Sequence, residues 1–290
     1  MIQIRKLTGD AQTLFQTGKQ YGSIHSVYHN VINVEMEGRL FSLHPSTLGW
    51  TPMSIIPELS KDAFGKLEIQ KQMKVIVEDQ VLTIGDYQFS AAGAGCLSST
   101  LEAENIRKQK TEFLLEDLIR GYLEHTECRT GFGGAVTGRR SVENAVETYL
   151  FGKYEKICTC ITAGNRKAAL AQMTELIGAG SGLTPSGDDF LVGMLFRLSL
   201  AGAQKVEWKK ELTEMIQGRL DATTDLSGTF LKYACEGKFG QYLLELALSF
   251  RKNEGADMIK AVKKIGTVGH SSGIDTLTGI LTGCMLCRKE

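Results

Sequence analysis

The sequence lacks several features that would assign the chain to a special class of protein. Its 290 residues include only four prolines, and no low-complexity linker interrupts the chain. Lys plus Arg and Asp plus Glu are both 33, so the formal net charge is zero. A neutral chain has no strong electrostatic attraction for nucleic acid or for an anionic membrane surface. We therefore expect neither of them to be the main partner.

Long apolar runs are absent as well, and we expect no signal peptide. No run reaches the roughly 18 apolar residues that span a bilayer. The start, "MIQIRKLTGDAQ", lacks the apolar core of a signal peptide. The seven cysteines are an odd number in a long chain, which disfavours a disulfide framework. Cys284 and Cys287 lie in an apolar run typical of a buried helix, where cysteine packs as a small hydrophobic residue. This usage favours the reducing cytoplasm.

Two kinds of periodicity divide the chain near residue 100. The first part contains alternating segments rich in Val, Ile, Tyr and Phe, such as "KQMKVIVEDQVLTIGDYQFS", which predict strands and hairpins. The second part repeats apolar residues at helical spacing, for example Leu115, Leu118 and Tyr122. We expect an α+β protein. Its mostly antiparallel, small barrel-like β domain would cover residues 1–100, and an α-helical domain would cover 101–290.

The most unusual stretch is "GAGSGLTPSGDDFLVG" at residues 178–193. Alternating glycines before an apolar run indicate a backbone that turns sharply or is approached closely at the start of a helix. Such backbone often lies where N–H groups bind an anion. Gly180, Gly182, Thr184 and Gly187 are therefore candidate substrate-binding residues. Lysine is missing from the loop, so there is no Walker A pattern to support the use of nucleoside triphosphates.

This stretch has a second copy later in the chain. "TPSGDDFLVGML" at 184–195 aligns without gaps on "HSSGIDTLTGIL" at 270–281, and both read S-G-x-D-x-L-x-G-x-L. The shared glycines would let two helices approach closely. We expect the helices to pack against each other through Gly193 and Gly279.

Capping and ligand binding are both consistent with the repeated pattern. Ser followed three residues later by Asp is a capping box, with Ser186 and Ser272 as N-caps and Asp189 and Asp275 reaching back. Asp188 has no acidic counterpart in the second copy. We therefore expect Asp189 to cap its helix and Asp188 to contact a ligand.

The two adjacent carboxylates restrict what the loop can bind. They would repel a bare phosphate and would suit an amide, an ammonium group or a Mg²⁺ ion. We predict a catalytic group of Asp188, Asp189 and Ser186, with Ser272 and Asp275 binding substrate. Ser186 is more consistent with a cap or hydrogen-bond donor than with a nucleophile. No resident cofactor or metal is predicted, and Mg²⁺ at Asp188 and Asp189 is the alternative.

A glycine-rich segment, "RTGFGGAVTGRRS" at 129–141, offers cationic groups. Arginine forks bind phosphate and carboxylate alike, so Arg139 and Arg140 are candidate substrate-binding residues. The alternative is a surface loop before a helix capped by Ser141. His270, at the start of the second copy, is a further candidate if folding brings it to the serine of the first copy.

Three motifs together resemble those of a bacterial family. "GxGxGLTPSGDDFLVG" followed by "SSGxDxLxGxLxG" is similar to the motifs of the AllH family, named after a subunit of oxamate carbamoyltransferase. "HSVYHNVINVEMEGRLFSLHP" at 25–45 resembles the family's N-terminal segment, and "TTDLSG" at 223–228 its T-T-x-L-S segment. Thr224 and Ser227 of that segment would cap a helix or touch ligand. Ile274 replaces the first aspartate of the second copy, so symmetric ligands are not assigned.

The resemblance implies carbamoyl transfer between carbamoyl phosphate and oxamate, or a related small carboxylate, in anaerobic allantoin and purine catabolism. It also implies a small anionic substrate and further carbamoyltransferase subunits as partners, and it leaves a homo-oligomer open. The alternative function is a non-catalytic assembly subunit or a protein that binds a small anion without chemistry.

Overall fold

The computed structural model describes residues 1–102, 109–128, 130–138, 144–202 and 206–288. The chain divides into two compact units, Met1–Thr100 and Leu101–Glu290. The strands of the first unit are β1 Ile2–Thr8, β2 Gln20–Tyr28, β3 Val31–Met36, β4 Arg39–Leu43, β5 Ser54–Pro57, β6 Lys74–Glu78, β7 Val81–Ile84, β8 Tyr87–Ser90 and β9 Gly95–Leu97. Its short helices are α1 Gly9–Gln12 and α2 Lys61–Phe64.

The helices of the second unit carry the glycine-rich stretch and its copy. They are α3 Gln109–His125, α4 Gly133–Thr137, α5 Ala145–Thr162, α6 Arg166–Thr174, α7 Ser186–Leu200, α8 Val206–Gln217, α9 Asp225–Cys235, α10 Gln241–Lys252, α11 Gly255–Gly266 and α12 Ser272–Arg288. Within the described ranges no strand follows β9, so the predicted change from strand to helix near residue 100 is confirmed. None of the helices described is both long and apolar enough to cross a bilayer.

Eight strands of the first unit close into a barrel. They pair in the order β5, β4, β3, β2, β6, β7, β8, β1, and β1 then pairs back to β5, while β9 joins β1 in parallel. Most neighbours are antiparallel, as expected. Alternate side chains fill the interior, and Val75, Val77, Leu82 and Ile84 are all buried. The predicted small, mostly antiparallel barrel is confirmed.

Polar side chains on neighbouring strands of this barrel form hydrogen bonds with one another. The amide of Asn33 on β3 donates to Ser26 Oγ on β2 at 3.0 Å and accepts from Ser42 Oγ on β4 at 2.7 Å. His44 is buried and contacts Ser54 Oγ at 2.7 Å through Nε2. Burial lowers the pKa of His44, which keeps its ring neutral. Because these side chains satisfy one another, they can lie inside the unit at little cost.

Helices α7 and α12 form the centre of the second unit, and most of their residues are buried. Their crossing depends on two glycines in equivalent positions of the repeat. A Cβ on Gly193 would lie 2.1 Å from the carbonyl oxygen of Thr276, and one on Gly279 would lie 2.0 Å from that of Phe190. Thr276 and Phe190 are themselves equivalent in the two copies. The predicted packing through these glycines is confirmed, and it is reciprocal.

Candidate functional site

The loop before α7 adopts backbone conformations that favour glycine. Gly178, Gly180 and Gly182 all have positive φ, at 74°, 130° and 99°. A side chain on Gly180 would also lie 2.5 Å from the backbone nitrogen of Ser186. The predicted sharp turns are therefore present. The amides from Gly180 to Gly182 donate to no backbone carbonyl of the described residues, which leaves them available to an anion.

The start of α7 differs from the predicted capping box. The N-cap is Pro185, which has no capping side chain, and its carbonyl accepts from Asp188 N at 2.9 Å and Asp189 N at 3.2 Å. Ser186 is thus the first residue inside the helix. The second copy has the same offset, because Asp275 N donates to the carbonyl of Ser271 at 2.9 Å. The prediction of serine N-caps with aspartates reaching back is wrong, and both side chains are released for other contacts.

Asp188 ties the loop to another helix. The side chain is buried, and its Oδ1 accepts from Gly178 N at 2.8 Å. Its Oδ2 accepts from Ser227 Oγ at 2.7 Å and from the Thr223 hydroxyl. Burial raises the pKa of Asp188, while these three hydrogen bonds favour its ionised form. Both oxygens of Asp188 accept hydrogen bonds from the protein. Asp188 therefore has the structural role that the sequence suggested for Asp189.

Asp189 and Asp275 have the opposite character. The Oδ2 atom of each is buried and has no hydrogen-bond partner among the described residues. Asp275 is fully buried, and its Oδ1 accepts from the backbone N of Phe132 at 2.7 Å. Buried carboxyl oxygens without partners are rare, because each loses its hydration without compensation. The two aspartates shared by the repeats are therefore the ones with unused hydrogen-bonding capacity.

The two copies are connected crosswise. The hydroxyls of Ser272 and Thr184 lie beside the Asp189 carboxyl, and that of Ser186 lies beside Asp275, each favouring the ionised form. Thr184 Oγ1 and Ser272 Oγ are 3.0 Å apart. Ser186 and Ser272 thus face the aspartate of the other copy, while the Ser271 hydroxyl lies beside Asp275 of its own copy. The paired helix N-termini thus bring together five of the predicted site residues: Thr184, Ser186, Asp189, Ser272 and Asp275.

Burial and mutual repulsion set the protonation of this carboxyl pair. Burial raises the pKa of Asp189 well above its ordinary value, and the nearby Asp275 raises it further. Burial also raises the pKa of Asp275 to about 7. Two carboxylates that repel each other in a buried site cannot both ionise readily. Near neutral pH the pair therefore retains a proton that isolated aspartates would have lost.

Backbone from the glycine-rich segment around residue 131 encloses Asp275, a contact that sequence reasoning missed. Gly131 has φ 61°, and a Cβ there would lie 2.3 Å from Asp275 Oδ1. The sequence signal for this contact is the run "TGFGG", where bare backbone permits such an approach. Arg139, Arg140 and Ser141 lie outside the described residues, so their roles stay predictions.

Gly187 and His270 are the remaining predicted site residues among those that the structure describes. Gly187 is required for packing, since a Cβ there would lie 2.0 Å from the carbonyl oxygen of Leu176. His270 is exposed, and its backbone carbonyl accepts from Cys128 Sγ at 3.4 Å. No hydrogen bond joins the His270 ring to Ser186 in the described part of the chain. A substrate contact by His270 stays a prediction.

Arg197, on α7, is a buried charge that the sequence reading did not single out. The guanidinium pairs with Glu112 and donates from Nε to Cys284 Sγ at 3.4 Å. The signal was a single charge within the apolar run "FLVGMLFRLSL", which needs a buried partner. The described residues contain no group of three or more His, Cys, Asp and Glu side chains suited to a metal. Mg²⁺ at Asp188 and Asp189 stays a prediction.

Comparison with known families gives two matches, one in each unit. Residues 5–98 match the AllH family N-terminal domain, and residues 176–284 match the oxamate carbamoyltransferase subunit AllH. The second match contains the glycine-rich loop, both copies of the repeat and the carboxyl pair. No solved structure matches the chain. Since the two matches cover most of the chain, the protein belongs to the AllH family, that of an oxamate carbamoyltransferase subunit.

Proposed function

We propose that this chain binds substrate for carbamoyl transfer between carbamoyl phosphate and oxamate, at the paired N-termini of α7 and α12. The observation that carries the proposal is that the matched AllH region, 176–284, contains this pair and its loop. The resemblance also supports further subunits as partners, a cytoplasmic enzyme, and a place in allantoin breakdown.

The transfer itself balances without a cofactor. The amide nitrogen of oxamate attacks the carbonyl carbon of carbamoyl phosphate, and an N–C bond forms. The bond between the carbonyl carbon and the phosphate oxygen breaks, and phosphate leaves with the electron pair. The nitrogen loses a proton, which passes to the leaving phosphate. Phosphorolysis of the carbamoylated product is the reverse. Both directions need groups that bind anionic oxygens and groups that hold an amide.

The site offers both kinds of group. The loop amides from Gly180 to Gly182 and the positive ends of two long helices suit phosphate or carboxylate oxygens. The Asp189 and Asp275 carboxyls suit the amide end of a substrate, and the hydroxyls of Thr184 and Ser272 lie beside Asp189, 3.0 Å from each other. We therefore assign substrate binding to this cluster and a positioning role to Asp188.

An activity assay tests this function. The chain, alone and with its partner subunits, is given carbamoyl phosphate and oxamate, and phosphate release is followed together with the carbamoylated product. We expect transfer in the complete assembly, and Thr184→Val to lower kcat/KM at least about tenfold, a loss of roughly 1.4 kcal/mol. Thr159→Val on α5 is the matched control, because that hydroxyl is exposed and bonds only to its own helix.

Two results would count against the proposal. Absence of transfer from the complete assembly rejects the reaction itself. Equal activity of Thr184→Val and the control would mean that the substrate binds elsewhere, with the segment around Arg139 and Arg140 as the next candidate site.

A further inference from the structure

We infer that Asp189 and Asp275 together form a receptor for one primary amide group of the substrate. One carboxylate accepts a hydrogen bond from the amide N–H, and the other, as a carboxylic acid, donates one to the amide carbonyl. The inference depends on the proposed function only for the identity of that amide, which is the amide of oxamate.

The first argument is the geometry of unused atoms. The Oδ2 atoms of both aspartates are buried without a partner among the described residues, although every oxygen of the neighbouring Asp188 is satisfied. A fold that satisfies one aspartate fully and leaves the next two incomplete keeps hydrogen-bonding capacity for a ligand. The two incomplete groups come from equivalent positions of the repeat, in the first turns of the paired helices, and Asp275 acts electrostatically on Asp189.

The second argument is rigidity. A Cβ on Gly131 would lie 2.3 Å from Asp275 Oδ1, and the Phe132 amide holds that oxygen at 2.7 Å. The hydroxyls of Ser272 and Thr184 lie beside Asp189. The Asp275 carboxyl is thus fixed before a ligand arrives, which reduces the entropy lost on binding.

The third argument is charge. A carboxyl pair that keeps one proton presents one donor and one acceptor side by side, and a primary amide presents the matching acceptor and donor. A carboxylate presents only acceptors and carries a negative charge, so this pair repels it. The two ends of oxamate therefore bind differently, with the amide at the carboxyl pair and the carboxylate toward the loop amides.

Titration calorimetry with oxamate and oxalate tests the receptor, because these two acids differ at the amide. The protein is used in its complete assembly. We expect oxamate to bind the wild type at least tenfold more tightly than oxalate. Asp189→Ala and Asp275→Ala should each reduce this ratio at least tenfold, because alanine supplies neither the donor nor the acceptor. Asp257→Ala, which removes a carboxylate from an exposed ion pair with Lys260, is the matched control and should leave the ratio unchanged.

The outcomes separate the receptor from the reaction. Equal affinity of the wild type for the two acids, or no binding of oxamate, overturns the receptor, whether or not the alanine variants fold. Unchanged preference in folded alanine variants, checked by circular dichroism, overturns it as well. If such variants keep transferring carbamoyl groups, the proposed function stands alone. Amide preference without any carbamoyl transfer would support the receptor and reject the proposed function.

Discussion

Asp188 shows at the scale of one residue how a buried carboxylate holds separate segments together. It accepts hydrogen bonds from Gly178 N, Thr223 and Ser227, so it joins the loop before α7 to the start of α9. Removal of an acceptor leaves its buried donors unpaired, and each unpaired group costs about 1–3 kcal/mol. The side chain is therefore important mainly for stability.

Asp188→Ala should lower the free energy of unfolding by at least about 2 kcal/mol, since it leaves three donors without their acceptor. Urea denaturation measures the change. Asp257→Ala is the control, because its carboxylate is exposed in a surface ion pair and such pairs contribute little. A loss for Asp188→Ala no larger than that for the control would contradict this role.

Asp275 predicts a specific dependence of stability on pH. Its pKa rises from 3.8 to about 7 in the folded chain because of burial. The folded state therefore binds more protons than the unfolded state between about pH 4 and 7. This contribution is fully present below about pH 4 and is lost as the pH rises through about 7.

Asp275→Asn removes that titration while keeping an acceptor for the Phe132 amide. As the pH rises from 4 to 8, the wild type should lose about 2–4 kcal/mol more unfolding free energy than the variant, an order-of-magnitude value from the pKa shift. Urea denaturation at both pH values measures the difference. Parallel pH profiles of the two proteins would show that Asp275 ionises in the folded chain as readily as in the unfolded one.

At the scale of secondary structure, small residues allow the helix starts and the helix crossing. Gly187 is the second residue of α7, and a Cβ there would lie 2.0 Å from the carbonyl oxygen of Leu176, just after α6. Gly273 is the second residue of α12, and a Cβ there would lie 1.9 Å from the carbonyl oxygen of Ile265, near the end of α11. Both copies of the repeat thus use the same packing. This regularity brings two N-termini together at one place.

Gly279→Ala tests the crossing of α7 and α12. An added Cβ would lie 2.0 Å from the Phe190 carbonyl, a backbone atom that cannot move freely. We expect a loss of about 1–3 kcal/mol or more from overpacking. Gly152→Ala in α5 is the matched control: nothing lies within 4 Å of its added Cβ, so the better helix propensity of Ala should stabilise the chain by about 1 kcal/mol. Thermal melts compare the two, and similar shifts would contradict the close crossing.

At the scale of the whole molecule, each unit has its own hydrophobic core. The core of the first unit is built from barrel side chains between Ile4 and Ala91, and that of the second from helical side chains between Leu101 and Leu286. The boundary between the two units lies between Thr100 and Leu101. That the units are independently folding domains stays a prediction.

A fragment of residues 1–100 should fold by itself, because its eight-stranded ring closes without an open edge and encloses an apolar core. We expect a β-type circular dichroism spectrum and one cooperative transition in urea. The full chain, measured in parallel, provides the reference for the helical signal. A fragment without a cooperative transition would mean that the barrel needs the helical unit to fold.

The sequence by itself determined the elements whose signals are local. Alternation of apolar residues specifies the strands, helical spacing specifies the helices, and the repeat of S-G-x-D-x-L-x-G predicts the paired helices and their two glycines. The turns at Gly178, Gly180 and Gly182 could also be predicted, because positive φ favours glycine.

Only the tertiary structure decided which aspartate does what. Asp188 and Asp189 are adjacent and chemically identical, so their roles depend on what α9 and α12 bring to them. Both helices begin at the serine that the sequence predicted as the N-cap, so the expected caps make cross-contacts between the copies instead. Hydrogen-bond partners and burial come from residues that are distant in the chain, and no local pattern encodes them. The carboxyl pair therefore emerges only when the two copies of the repeat fold against each other.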